Sequence, residues 1–183
     1  MSAPLTIRLA TLADLEPLRE LQVAAMRALG AGFYTLAEFE AAVRHVCVPD
    51  RGLIEDGTYL VAERGGRLVG CGGWSLRRKA YAGPAHGADD AQRLDPRVEP
   101  TRIRAMFTAP DAARQGVGRA ILKAAEEAAG AAGFARARLG ATLSGEAFYR
   151  RSGYAEIGRE TALLPDGTAL AVVLMEKKLR AAA

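Results

Sequence analysis

The chain has 183 residues, half of them hydrophobic and a quarter charged, with a net charge of +4; this composition can build its own core and excludes an unstructured chain. Its two cysteines, Cys47 and Cys71, have no CxxC spacing and no nearby histidine, which argues against a zinc or redox site and for two free thiols in a reducing cytoplasm. Lysine and arginine are scattered, the longest run being Arg77–Arg78–Lys79, and aromatics are few, so the basic balance points to an anionic small molecule rather than to nucleic acid.

Met1–Ala10 lacks the basic start and apolar run of a signal peptide, and no stretch is apolar for long enough to span a bilayer. Leu5–Leu9 alternates, with Leu5, Ile7 and Leu9 against Thr6 and Arg8, and predicts a first strand. A helix follows. With Thr11 as its cap, Pro17 would fall past the first turn and break a backbone bond; with Asp14 as N-cap, Pro17 sits among the free N–H groups where proline is tolerated. Leu15, Leu18, Leu21, Ala25 and Met26 then form one apolar face. Thr35 and Glu38 have capping-box spacing and start a second helix, with Leu36, Phe39, Val43 and Val46 on one side. Thr58–Arg64 and Arg67–Leu76 read as a hairpin turning at Gly65–Gly66.

Residues 78–100 hold Gly83, Pro84, Gly87, Asp89, Asp90, Pro96 and Pro100 and little periodicity. Connections longer than about 12–15 residues are uncommon and usually functional or disordered, so this segment is expected to cap a substrate cleft. Next come a strand at Arg102–Thr108 and an alanine-rich helix at Gly116–Ala132, closed by Gly133. A strand at Ala135–Ala141 and a short helix at Ser144–Ser152, ended by Gly153, follow. Two late strands, Glu156–Leu163 and Ala169–Leu179, flank the turn Pro165–Asp166–Gly167. The order is βααββ, βα, βα, ββ, an α/β chain with no repeat, read as a single domain over residues 1–183. The abundance of Ala, Arg and Gly fits a GC-rich bacterial genome.

The stretch from Met106 to Leu122, MFTAPDAARQGVGRAIL, carries the chemistry. A strand ends at Thr108–Ala109, Pro110 cannot continue the ladder, and Gly116 and Gly118 open a helix. Without side chains they let a ligand approach the backbone. Free N–H groups from Gln115 to Arg119, the helix dipole, and the charges of Arg114 and Arg119 together make a diphosphate cradle. It is not a Walker A loop, which needs Gly-Lys-Ser/Thr. Nor is it a dinucleotide fingerprint: position 121 is Ile, and the acids Glu126 and Glu127 come too early.

This stretch resembles the cofactor motif of the GCN5-related N-acetyltransferase (GNAT) superfamily, Gln/Arg-x-x-Gly-x-Gly/Ala at a helix start. Arg114–Gln115–Gly116–Val117–Gly118 supply the x-x-Gly-x-Gly part, while Ala113 stands where the family most often has Gln or Arg. The resemblance runs from Leu5 to Leu179 and includes AFYRRSGY at Ala147–Tyr154, similar to the family's short helix near the thioester sulfur, and VVLMEKKL at Val172–Leu179, similar to its last strand.

The resemblance implies a mixed, mostly antiparallel sheet flanked by helices, with a splayed strand pair holding acetyl-CoA, and no metal. It implies acetyl transfer to a primary amine of a small molecule or protein by direct attack, with no nucleic-acid or membrane partner; a homodimer stays open. Met106, Phe107 and Thr108 would pair with the pantetheine arm as an added strand does. Tyr149 matches the family's tyrosine acid. Tyrosine has a pKa of about 10 and a thiol about 8.5, so full transfer is uphill, and a hydrogen bond to the developing thiolate is the expected contribution. Arg151 is expected near the 3′-phosphate of CoA, ahead of Arg150.

Many family members carry a glutamate base four residues before the Met106 position; here that place is Arg102. By strand periodicity Arg102, Arg104 and Met106 share a face, and Arg102 or Arg104 is expected to grip an anionic group of the acceptor. Glu99, Asp89, Asp90, His86 and Glu38, or a water relay, are candidate bases. His45, beside an apolar helix face, and Trp74, on a core strand, read as structural. A non-catalytic acyl-CoA-binding domain is the alternative.

Overall fold

The computed structural model describes residues 3–78 and 92–179. In chain order they form β1 (Leu5–Leu9), α1 (Leu15–Leu29), α2 (Leu36–His45), α3 (Arg51–Glu55), β2 (Tyr59–Arg64), β3 (Arg67–Ser75) and β4 (Thr101–Thr108). Then come α4 (Val117–Ala131), β5 (Arg136–Thr142), α5 (Glu146–Arg151), β6 (Ala155–Leu163) and β7 (Ala169–Lys178). Each element read from the sequence is present, and α3 is an addition. Asp50 caps it, its carboxylate accepting the Leu53 N–H at 3.2 Å, and buried Leu53 anchors it.

Helix α1 starts at Leu15, as Pro17 requires. The Asp14 carboxylate, however, turns back rather than capping the helix: it accepts the Thr11 N–H at 2.7 Å and the Arg8 guanidinium at 2.8 and 2.9 Å. At α2 the capping box is complete, with the Thr35 hydroxyl accepting the Glu38 N–H at 3.3 Å and Glu38 accepting the Thr35 N–H at 2.8 Å.

The seven strands form one open sheet in the order β1-β2-β3-β4-β5-β7-β6. All neighbours are antiparallel except β4 and β5. That parallel pair holds register only at Thr101↔Ala137 and Arg102↔Arg138, after which the two strands part. Helix α4 covers the sheet face that carries Gly70 and Gly72. A Cβ on Gly70 would lie 2.6 Å from Val117 and 2.8 Å from Ile121, and one on Gly72 would overlap the Met106 sulfur, so these glycines set how closely α4 packs. Helix α1 lies on the Cys71 face. Both cysteines are buried and free; burial pushes the Cys47 thiol up to about 12 and Cys71 to about 11.

Strand β4 is bulged. Its register against β3 runs Gly70↔Thr108 and Cys71↔Phe107 but then Gly73↔Arg104, so Ala105 and Met106 together oppose Gly72, with Ala105 at φ 54°. This corrects the expectation that Arg102, Arg104 and Met106 share a face. The extra residue turns Met106 toward Gly72 and α4, while Arg104 stays on the opposite side with Asp50.

The ends of the long 78–100 connection zip together beyond β3. Arg78 N–H donates to the Gln92 carbonyl at 3.1 Å and Leu94 N–H to Leu76 at 2.7 Å, and Leu94 is buried. Residues 79–91, to which most of the expected cap belongs, lie outside the described residues. Among the described residues no helix is long and apolar enough to cross a membrane.

Candidate active site

A cleft of about 960 Å³ opens where β4 and β5 part, large enough for an extended cofactor arm and part of an acceptor. One wall is β4 from Ile103 to Thr108, continuing into the start of α4. Because β5 has diverged, the β5-facing edge of Ile103–Thr108 has no paired strand among the described residues, and it presents amides to any extended ligand. A buried polar cluster holds the bulge. The Tyr59 hydroxyl accepts from Gln22 Nε2 at 2.9 Å and lies 3.4 Å from the Ala105 carbonyl; the Cys71 sulfur is 3.6 Å from the same carbonyl. Gln22, Tyr59 and Cys71 are all fully buried.

At the cleft's far end the chain turns through Pro110–Ala112 and enters α4. Arg114 has φ 64° and Gly116 φ 84°. The Ala120 N–H bonds to the Gly116 carbonyl at 2.9 Å, leaving the N–H groups of Val117, Gly118 and Arg119 without helical acceptors. Gly116 is needed for its left-handed backbone; a Cβ there would meet nothing. Gly118 is needed for space, because a Cβ there would sit 3.3 Å from Thr108 Oγ1 and 3.5 Å from Phe148 Cζ. Arg114, Arg119 and Arg151 border the cleft. Arg150 instead faces outward in ion pairs with Glu146 and Glu156. The Gln115 side chain leaves the cleft to staple the loop, donating to the Asp111 carbonyl at 2.7 Å and accepting from Arg64.

Tyr149, on α5, stands on the cleft wall, half-buried and edge-on to Phe148 at 5.0 Å and Tyr154 at 5.8 Å. Its hydroxyl has no hydrogen-bond partner among the described residues. Burial raises its pKa well above the ordinary tyrosine value, so it stays protonated at neutral pH and is suited to donate a hydrogen bond.

On the opposite side the cleft is closed by the end of α1, Tyr34, the end of α2 and the β6–β7 turn. The Tyr34 hydroxyl accepts the Leu143 N–H at 3.0 Å, tying this wall to the turn that leads into α5. Arg104 reaches the cleft wall, but its guanidinium is buried against Asp50. Arg102 is not part of the wall. It is half-buried at the closed end of the β4–β5 pair, donating to the Pro100 carbonyl at 3.3 Å, with its pKa lowered by burial and by Arg138. The structure therefore does not bring Arg102 together with Tyr149. Glu99 pairs with Arg78 at 2.9 Å and Glu38 belongs to the α2 cap, both away from the wall; His86, Asp89 and Asp90 lie outside the described residues. Trp74 packs edge-on to Phe134 in the core. His45, read from sequence as structural, is on the wall, its Nε2 3.0 Å from Asp166 Oδ2.

The sequence profile of the GNAT acetyltransferase domain matches residues 55–156. The chain belongs to the GNAT acetyltransferase family. No curated protein matches it. Among solved structures it is similar to a GCN5-related N-acetyltransferase from Rhodopseudomonas palustris, with 22% identity, TM-score 0.74 and 98% of both chains covered. It is also similar to the PaiA N-acetyltransferase from Thermoplasma acidophilum in complex with coenzyme A, with 18% identity, TM-score 0.66, and 96% of this chain and 99% of that one covered. A third is YncA from Salmonella typhimurium with acetyl-CoA, with 19% identity, TM-score 0.61, and 99% and 97% covered. At these identities the likeness is one of fold.

In this GNAT domain the matched stretch takes in the bulged β4, the α4 start and Tyr149. It leaves out α1, α2 and the β6–β7 turn, which form the other wall. There the sequence carried no motif. The one available signal was the polar pair Arg44–His45 closing an apolar helix, with an aspartate in a distant turn.

Proposed function

We propose that this chain is an acetyl-CoA-dependent N-acetyltransferase acting on a primary amine of a small molecule or protein. The supporting observation is continuity: one cleft joins an unpaired β4 edge, a helix start with free amides and three bordering arginines, and a half-buried tyrosine hydroxyl with no partner among the described residues. These fit the parts of acetyl-CoA in order. Val117–Arg119 amides, with Arg114 and Arg119, would hold the diphosphate; Arg151 would meet the 3′-phosphate. The Met106–Thr108 edge would pair with the pantetheine amides, and the lack of a side chain at Gly118 would leave room beside Thr108 and Phe148 for the arm. Acetyl-CoA supplies an activated acyl group on a good leaving thiol. The protein orients the carbonyl through the β4 edge, keeps it in a mostly apolar cleft, and offers the Tyr149 proton to the sulfur as charge develops there.

The test is acetyl-CoA turnover against a panel of amines, followed by free-thiol release and by mass detection of the acetylated product. Amide formation with at least one amine class is expected, and Tyr149→Phe should lower kcat about 10²–10⁴-fold while leaving acetyl-CoA affinity nearly unchanged. Tight acetyl-CoA binding with no acyl transfer to any amine would instead identify a binding domain.

A further inference from the structure

We infer that His45, oriented by Asp166, takes the proton from the acceptor amine. This rests on the N-acetyltransferase reading above. An alkyl ammonium has a pKa of about 10.4, so at neutral pH the acceptor nitrogen arrives without a lone pair and needs a base. Among the described residues, the ionisable side chains on the cleft wall are four arginines, Tyr34, Tyr149 and His45. The arginines stay protonated. Burial raises both tyrosines above their ordinary value, so neither is a base near neutrality. His45 is what remains, and no carboxylate borders the cleft among the described residues.

The geometry suits the role. His45 Nε2 faces Asp166 Oδ2 at 3.0 Å. Asp166 also accepts the Thr168 N–H at 3.0 Å and lies 3.4 Å from Arg44; its hydrogen bonds to Thr168, the amide first, and then to His45 hold it below the usual carboxylate range. A carboxylate at Nε2 places the ring proton on that nitrogen and leaves the lone pair on Nδ1, which has no hydrogen-bond partner among the described residues. The side chain is 17% exposed, sheltered yet open on the cleft side. Arg44 on α2 and Asp166 on the β6–β7 turn are the charges around it. Tyr34, and Arg104 paired to Asp50, face the same cleft.

The ammonium nitrogen gives up two protons. One passes to His45 Nδ1 and then to water. The freed lone pair forms the N–C bond to the acetyl carbonyl carbon; as the C–S bond breaks, its electron pair stays on sulfur, which takes the Tyr149 proton and leaves as thiol, and the second amine proton returns to the Tyr149 oxygen by way of water.

The experiment measures kcat/KM against pH for wild type, His45→Ala, His45→Gln and Asp166→Asn on the best amine, with acetyl-CoA affinity and thermal stability as controls. Wild type should show an acidic limb set by an imidazole. His45→Ala and His45→Gln should lose that limb and fall about 10²–10⁴-fold at neutral pH, with acetyl-CoA affinity intact and activity partly restored to the alanine variant by added imidazole. Asp166→Asn should lower kcat/KM at neutral pH with acetyl-CoA affinity intact, because the ring loses the carboxylate that fixes its tautomer. Folded His45 variants that keep the wild-type profile and rate would overturn the assignment while leaving the acetyltransferase standing. A wild type that binds acetyl-CoA but acetylates no amine would overturn both.

Discussion

Gly116 and Gly118 are two residues apart and are glycine for different reasons, which their variants should separate. At φ 84° an L side chain at position 116 is strained, by about 1–2 kcal/mol. Yet the space beside it is empty, so Gly116→Ala is expected to lower the thermal midpoint while leaving the passage open. Gly118 is in ordinary helical backbone but faces Thr108 and Phe148, which a Cβ there would approach to 3.3 and 3.5 Å. Gly118→Val is expected to weaken acetyl-CoA binding more than tenfold with a smaller loss of stability. Calorimetric titration and thermal melts on both variants check this; if Gly118→Val binds acetyl-CoA as tightly as wild type, the cradle is elsewhere.

The β4 bulge is where packing decides function at the level of elements. Tyr59 from β2 and Cys71 from β3 meet the Ala105 carbonyl, and Gln22 from α1 donates to the Tyr59 hydroxyl, so three elements converge on the bulge. Tyr59→Phe keeps the ring and deletes the hydroxyl, leaving the buried Gln22 amide without its partner and the Ala105 carbonyl with Cys71 alone. A buried unsatisfied group costs about 1–3 kcal/mol, so the thermal midpoint should fall, and the KM for acetyl-CoA should rise as the β4 edge loosens. An unchanged midpoint would show that the cluster does not hold the bulge. This element was not legible in the sequence: Arg102, Arg104 and Met106 alternate as in a regular strand, and only the glycine facing the extra residue, in another strand, reveals the slip. By contrast the starts of α1 and α2 and the glycines before α4 were legible, because proline placement, a Thr–Glu capping box and a Gly-x-Gly turn act within a few residues. The same contrast divides the site. The proposed cofactor half is one continuous stretch from Met106 to Arg119, while His45 and Asp166 are 121 residues apart and meet only when the β6–β7 hairpin folds back over α2.

At the scale of the whole molecule, the sheet is two halves, β1–β4 and β5–β7, hydrogen-bonded to each other through the short register at Thr101–Arg102 and Ala137–Arg138. Helix α4 adds a packed bridge: its Ile121 sits against Gly70 and Gly72 of β3, while Leu122 and Ala125 share a core with Leu139, Val173 and Met175 of the other half. The closed end is thus fixed by backbone pairing and the open end by side chains alone. A ligand lying along Met106–Thr108 and ending on Val117–Arg119 would add the interactions that the parted strands lack. Binding to the folded state alone stabilises by about 2.7 kcal/mol at a hundredfold excess over Kd, which in a domain of this size raises Tm by roughly 2–4 °C per kcal/mol. CoA at that excess should therefore raise the midpoint by roughly 5–11 °C, and the rise should grow with the logarithm of CoA concentration. Amide exchange should slow at Met106–Thr108 and Val117–Arg119 and hardly change at Thr101 and Arg102, which are already paired. Gly118→Val should diminish both effects together at the same CoA concentration. A rise in Tm with protection confined to β1 and β2 would place CoA outside the parted strands and leave the open end of the sheet without its ligand.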